Sequence, residues 1–274
     1  MKPISGKSRA DAWLQAVRHL NVCDGEEDYN VVLCIEDPMR QSEGDRRIEQ
    51  ATDNFLRQSQ ALPLHSIAET IFPGSEYRRH GVEGVYNRYP DEIFPKIKSE
   101  LTWGTYAHRI LRRTGRNGET INPLEICVEK IKREMLIAGT KAACYELSTT
   151  EGAFDFPLYD AAVDRKRRRG GPCLSHMSLK VTRKRSLILT AVYRAHYYIE
   201  RALGNLLGLA RLQAFVCEQT NLTPGELVCV STFAKLDTAS EHWSKKQFES
   251  LYATLSGFVQ SGSESNKPTS SMGA

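Results

Sequence analysis

No Cys-x-x-Cys pair occurs in the 274 residues, and the cysteines at 23, 34, 127, 144, 173, 217 and 229 show no ordered spacing that holds zinc tetrahedrally. Reduced thiols and no metal are the expectation. No apolar run approaches the roughly 18 residues that a membrane-crossing helix needs, and the N-terminal stretch has no signal-peptide core. A cytoplasmic protein with no membrane partner follows as the reading. No break in composition appears over residues 8–255, so residues 1–255 read as a single domain. From 256 to 274 the chain is Ser, Gly and Asn with almost no large apolar residue, which reads as a disordered tail. Neither charge sign dominates. Lys and Arg number 37 against 33 Asp and Glu, which is compatible with a phosphate-bearing ligand without demanding one. The run Arg165-Lys166-Arg167-Arg168-Arg169 reads as a solvated loop.

What is present is an ordinary globular composition, 41% hydrophobic and 26% charged. Apolar residues at helical spacing predict helices over 9–20 and 45–58, the second stopped by Pro63. Asn30 to Ile35 reads as a buried strand, and residues 75–90, rich in Gly, Tyr, Arg and Pro, as an irregular loop. Asn122-Pro123 is a helix start, because Asn caps and Pro fits the first helical position. A strand over 142–147 precedes a long charged loop over 148–171. From 173 the period becomes two, with Cys173, Ser175, Met177, Leu179 and Val181 on one face. A turn at 182–186 and a second run to Arg194 predict a hairpin; a long apolar helix from Tyr198 to Thr220 and a strand from Leu227 to Phe233 follow.

Two positions stand out chemically. Cys173 opens a strand directly after Gly170-Gly171-Pro172, a usual place for a nucleophile. Glu69 lies within the mostly apolar run Ser66 to Gly74, where burial would hold a carboxyl partly protonated. Taken in order, Glu69, Lys141, Cys173, Arg194 and Asn205 form a series. Pro172-Cys173, Tyr193-Arg194 and Ala202-Leu203-Gly204-Asn205, followed by Gly225-Glu226-Leu227-Val228, resemble the catalytic half of thymidylate synthase and the pyrimidine nucleotide hydroxymethylases. Ser66-Ile67-Ala68-Glu69 with Gly74, and Trp103-Gly104-Thr105-Tyr106, extend the resemblance over roughly residues 60–237.

That resemblance implies an α+β fold, a mixed sheet covered by helices on one face and packed through the other in a homodimer. It also implies C5 one-carbon transfer, methyl or hydroxymethyl, to a UMP-, dUMP- or CMP-like nucleotide, with 5,10-methylenetetrahydrofolate as cofactor. Cys173 would add to C6 of the ring and give C5 its nucleophilic character. Arg194 would lower the thiol pKa and meet the phosphate, Asn205 would read the base edge, and Glu69 would move protons. Lys141 would reach the partner subunit's site, and Lys235 and Asp237 stand nearest the positions that hold the sugar. Departures from the pattern are Ala195 after the arginine, Leu174 after the cysteine, and Tyr197 where the family has the aspartate that meets the pterin. Asp45-Arg46-Arg47 is only a distant substitute for its phosphate loop. The alternative is a nucleotide-binding or, less favoured, nucleic-acid-binding protein that keeps the fold without the transfer.

Overall fold

The computed structural model describes residues 3–97, 104–115, 117–137, 139, 141, 143–149 and 172–263, with side chains to 258. Trp103, Arg165 to Arg169, Gly170 and Gly171, each part of a sequence reading above, lie outside the described residues.

Strand β1 (Ile4–Gly6) leads into helix α1 (Arg9–Asn21), whose start is set by Ser8: its side chain accepts from the Asp11 N–H. Ala10, Trp13, Leu14, Val17 and Leu20 form its buried stripe. After a 3-10 turn, β2 (Glu27–Ile35) crosses the molecule, and α2 (Glu43–Gln58) begins at a capping box between Ser42 and Asp45. Helices α3 (Leu64–Glu69) and α4 (Gly74–Glu83) follow, then a π-helical segment over Gly84–Ile93 and α5 (Phe94–Ile97). Residues 75–90 are therefore helical, not the irregular loop their composition predicts. The cause is tertiary: Tyr77 and Tyr86 set their edges against Phe215 at 5.0 and 5.7 Å, and this aromatic cluster outweighs the local Gly and Pro preferences.

Helix α6 (Tyr106–Leu111) and a short ribbon, β3 (Arg113–Thr114) with β4 (Thr120–Ile121), precede α7 (Pro123–Ile137). Asn122 caps α7 as read, accepting from the Glu125 N–H at 3.1 Å. Then come β5 (Glu146–Ser148), β6 (Leu174–Val181), β7 (Ser186–Tyr193) and β8 (His196–Tyr197). A π-helical turn over Tyr198–Ala202 runs into α8 (Leu203–Thr220), and β9 (Thr223–Lys235) and α9 (Lys245–Ser263) end the described chain. Phe248, Leu251 and Leu255 are buried at helical spacing on α9, which carries the helix to Ser263, past the expected start of the tail at 256.

The seven-stranded sheet has the order β1-β2-β9-β7-β6-β5, with β8 beside β9. It is mixed: β6 pairs antiparallel with β7, while β7 runs parallel to β9. This is the α+β architecture read from the sequence, a mixed sheet covered by helices. In β7, Leu187, Leu189, Ala191 and Tyr193 are fully buried under the helices, and Ile188, Thr190 and Val192 on the other face are half-buried. That second face continues across Val228 and Val230 of β9, which stand opposite Cys34 and Val32 of β2. Among the described residues, no helix is long and apolar enough to cross a membrane.

Candidate active site

Strict alternation places Cys173 and Ser175 on the face of Met177 and Leu179. The structure departs from this. A register shift in the β6–β7 pairing between Leu174 and His176 brings Leu174, with no exposed surface, onto the core side with Met177 and Leu179. Such a bulge re-aims the residues at its end of the strand. Cys173 is left half-buried just ahead of it, at the mouth where β6 begins and β7 ends. Its carbonyl accepts from the Arg194 N–H at 2.8 Å, so the two residues sit directly across the hairpin's open end.

Two guanidinium groups act on the Cys173 thiol. Burial pushes its pKa up, while Arg194, the Ala195 backbone N–H and Arg201 pull it down, and burial prevails. Arg194 acts on the thiol in the expected, lowering direction, and its charge offsets desolvation only in part. Arg201, on the π-helical turn, pairs with Glu200 at 2.7 Å and is a second cation that the sequence reading missed. Tyr106, at the start of α6, completes this group; its hydroxyl oxygen accepts from the Leu174 N–H at 3.4 Å. Burial, foremost, pushes its own pKa up to about 12.

From Cys173 the site continues through stacked rings. Tyr106 meets Tyr193 edge-on at 6.4 Å, and Tyr193 lies flat on His196 at 4.0 Å and 4°. His196 Nε2 is 3.0 Å from Asn205 Nδ2, and its Nδ1 is 3.0 Å from Ser231 Oγ. Burial pushes His196 down to about 3, so the ring is neutral near pH 7 and carries one proton. With the Asn205 N–H donated to Nε2, that proton resides on Nδ1 and is donated to Ser231. This leaves the Asn205 carbonyl oxygen and its second N–H outside the contact. Among the described residues the buried Tyr193 hydroxyl has no hydrogen-bond partner, at a cost of about 1–3 kcal/mol.

Glu69 ends α3 in a polar setting rather than an apolar one. Its carboxylate accepts twice from the Ser75 N–H, at 3.1 Å each, and pairs with Arg211 at 3.2 Å and His65 at 3.4 Å. The next residue reaches the Cys173 side of the molecule: the Thr70 carbonyl accepts from Ala107 N–H at 2.8 Å, beside Tyr106.

The remaining sequence candidates are not gathered here. Lys141 is exposed beyond α7, its backbone N–H donating to the Tyr145 hydroxyl at 3.1 Å. Lys235 pairs with Glu27 at 3.1 Å at the end of β9. Asp237 is buried, and its two oxygens accept from the N–H groups of Ile199 and Glu200 at 2.8 and 2.9 Å, capping the π-helical turn. Burial pushes its carboxyl up to about 6. Arg46 and Arg47 pair with Glu43 of their own helix at 3.5 and 3.4 Å.

No protein-family model matches the chain, and no curated protein does. Among solved structures, it is similar to thermostable thymidylate synthase A from Bacillus subtilis at 13% identity and a TM-score of 0.44, over 84% of this chain and 70% of that one. At that level neither membership of the family nor its activity follows.

Proposed function

We propose that the chain is a pyrimidine nucleotide C5 one-carbon transferase in which Cys173 forms a covalent bond to C6 of a UMP-, dUMP- or CMP-like substrate. The observation that carries this reading is the grouping, at one sheet end, of a half-buried thiol with Arg194 and Arg201. In this scheme a guanidinium holds the nucleotide phosphate and the thiolate attacks C6. The electron pair then developed at C5 attacks an electrophilic one-carbon donor, methyl or hydroxymethyl in outcome. The donor's carrier departs and the C5 proton is lost, leaving an exocyclic methylene; water adds to it for the hydroxymethyl outcome, or hydride from a reduced co-substrate for the methyl outcome, and the thiolate is expelled to restore the ring. Asn205, with its carbonyl and remaining N–H, matches a base edge that presents one donor and one acceptor. Glu69, fixed by Ser75 and Arg211, is the candidate for proton transfer at the ring carbonyl.

The side of the site where the resemblance implies 5,10-methylenetetrahydrofolate does not fit that cofactor. Leu174 is fully buried in the core and has no polar atom, and Tyr197, 46% exposed on β8, offers a neutral phenol where the pattern has a carboxylate. A homodimer is part of the proposal: the half-buried face carrying Val32, Cys34, Val228, Val230, Ile188 and Val192 is an apolar surface that a second copy would cover. Lys141 would approach the partner's site in that assembly.

The test supplies C5-tritiated UMP, dUMP, CMP and dCMP, with and without methylenetetrahydrofolate, and measures tritium release. Release that disappears in Cys173→Ser is the expected result, and no release from any of the four would overturn the transferase reading for them. A second reading, nucleotide binding without transfer, is favoured by the upward push on the Cys173 thiol. Intact-mass analysis with a 5-fluoropyrimidine nucleotide separates the two, since binding alone adds no covalent mass.

A further inference from the structure

The geometry points to a zinc-class divalent metal site at His19, Cys23 and Asp28, remote in sequence from the proposed catalytic residues and independent of their function. His19 lies in the last turn of α1 and Cys23 two residues past its end, just before the 3-10 turn at Asp24–Glu26, and Asp28 follows that turn on β2. Among the described residues this is the one group of three such side chains with all ligand atoms within 4.8 Å of one another.

The three atoms converge on a single ring nitrogen. His19 Nε2 is 2.7 Å from Asp28 Oδ2 and 3.6 Å from Cys23 Sγ. A hydrogen-bonded Cys-His-Asp relay would use opposite ring nitrogens, one for the thiol and one for the carboxylate. Here both partners lie on one nitrogen: without a metal the Nε2 proton serves Asp28 and the thiol donates to the His19 carbonyl at 3.2 Å. A cation among the three would take all three ligand atoms at once. With Zn–S about 2.3 Å and Zn–N about 2.0 Å, a tetrahedral sulfur–nitrogen edge is roughly 3.5 Å, close to the 3.6 Å observed. The nitrogen–oxygen edge needs roughly 3.3 Å, so the 2.7 Å contact opens by roughly 0.6 Å. Side chains 42% and 39% exposed accommodate that by small rotations.

The surroundings orient the ligands. Asp28 Oδ1 accepts from the Tyr29 N–H at 2.7 Å, which turns Oδ2 toward His19. Gly25 and Glu26, at φ 63° and 57°, make the tight reversal that returns the chain from α1 to Asp28. Binding forms the metal–sulfur bond as the Cys23 thiol proton leaves to solvent, the imidazole giving its Nε2 lone pair. Three protein ligands leave a fourth position open toward solvent. The cysteine spacing points to no metal because the ligand set mixes a histidine at a helix end, one cysteine from the turn after it and an aspartate from the next strand.

The test uses the full chain, stripped with EDTA and titrated with Co²⁺. A sulfur-to-cobalt charge-transfer band and tetrahedral ligand-field bands are expected, saturating at one cobalt per chain and displaced by Zn²⁺. Cys23→Ser removes the charge-transfer band, His19→Gln and Asp28→Asn weaken Zn²⁺ by more than about 100-fold, and Cys173→Ser leaves the band unchanged. Absence of the band in the wild-type chain, or its survival in Cys23→Ser, overturns the assignment. Far-UV circular dichroism of the three variants, expected to match wild type, guards against loss of fold.

Discussion

Substituting Gly208 by Ala should destabilise the protein, although Ala is the better helix former. Gly208 lies inside α8, where the α3 backbone passes against it. A Cβ there would come within 2.8 Å of the Ala68 carbonyl oxygen and 2.9 Å of Ile71 Cβ. Neither obstacle is the end of a flexible side chain, so α3 must retreat as a unit. Overpacking of this kind costs about 1–3 kcal/mol. Helix propensity returns about 1 kcal/mol, since Gly is the poorer residue in a helix interior. With backbone as the obstacle the upper part of the range applies, and a net loss of about 1–2 kcal/mol follows. Gly257 is the internal control: it lies inside α9, and a Cβ there meets nothing within 4 Å. Gly257→Ala should therefore gain up to about 1 kcal/mol. Urea unfolding followed by far-UV circular dichroism reads both, and with a slope of about 3 kcal/mol per molar the Gly208→Ala midpoint falls by about half a molar. A Gly208→Ala midpoint at or above wild type, or a fall of the same size in Gly257→Ala, would refute the reasoning. The contact matters for the site as well. Helix α3 ends in Glu69 and α8 carries Arg211, so a retreat of α3 strains their 3.2 Å pair.

Further outcomes follow from the same geometry. Val230→Glu should convert the proposed homodimer to a folded monomer in light scattering, because it places a charge at the centre of the half-buried apolar face; an unchanged dimer mass would rule out that face. Asp237 should make stability fall with rising pH. Its folded pKa of about 6 lies above the ordinary 3.8, so its contribution is full below 3.8 and is lost as pH rises through 6, roughly 3 kcal/mol in all. In Asp237→Asn this slope should disappear, so the stability difference between pH 5 and 7.5 narrows; an equal difference in both proteins would show that Asp237 does not titrate in that range.

Much of the secondary structure was legible because it is local. The 3.6-residue stripe of α1, the Asn122-Pro123 start of α7, and the two alternating runs of β6 and β7 are each encoded by neighbours a few residues apart. The region around 75–90 was not legible, since its helices are held by Phe215, more than a hundred residues away. His196, between Ala195 and Tyr197, is not legible either. No local feature marks a histidine that will lie flat on Tyr193 and bond Asn205.

The sequence by itself determined which chemistry is on offer: a cysteine after a Gly-Gly-Pro turn, an arginine closing the next strand and an asparagine opening a long apolar helix. It also determined the helical or extended period of most segments, because that depends on spacing along the chain. Only the tertiary structure decided what those groups can do. A register shift set Leu174 on the core side, and burial outweighed two arginines acting on the Cys173 thiol. Packing committed Asp237 to the backbone N–H groups of the π-helical turn and brought His19, Cys23 and Asp28 together from a helix, the turn after it and a strand. Exposure, electrostatic surroundings and side-chain direction all depend on residues distant in the chain, and for that reason they emerge only when the chain is folded.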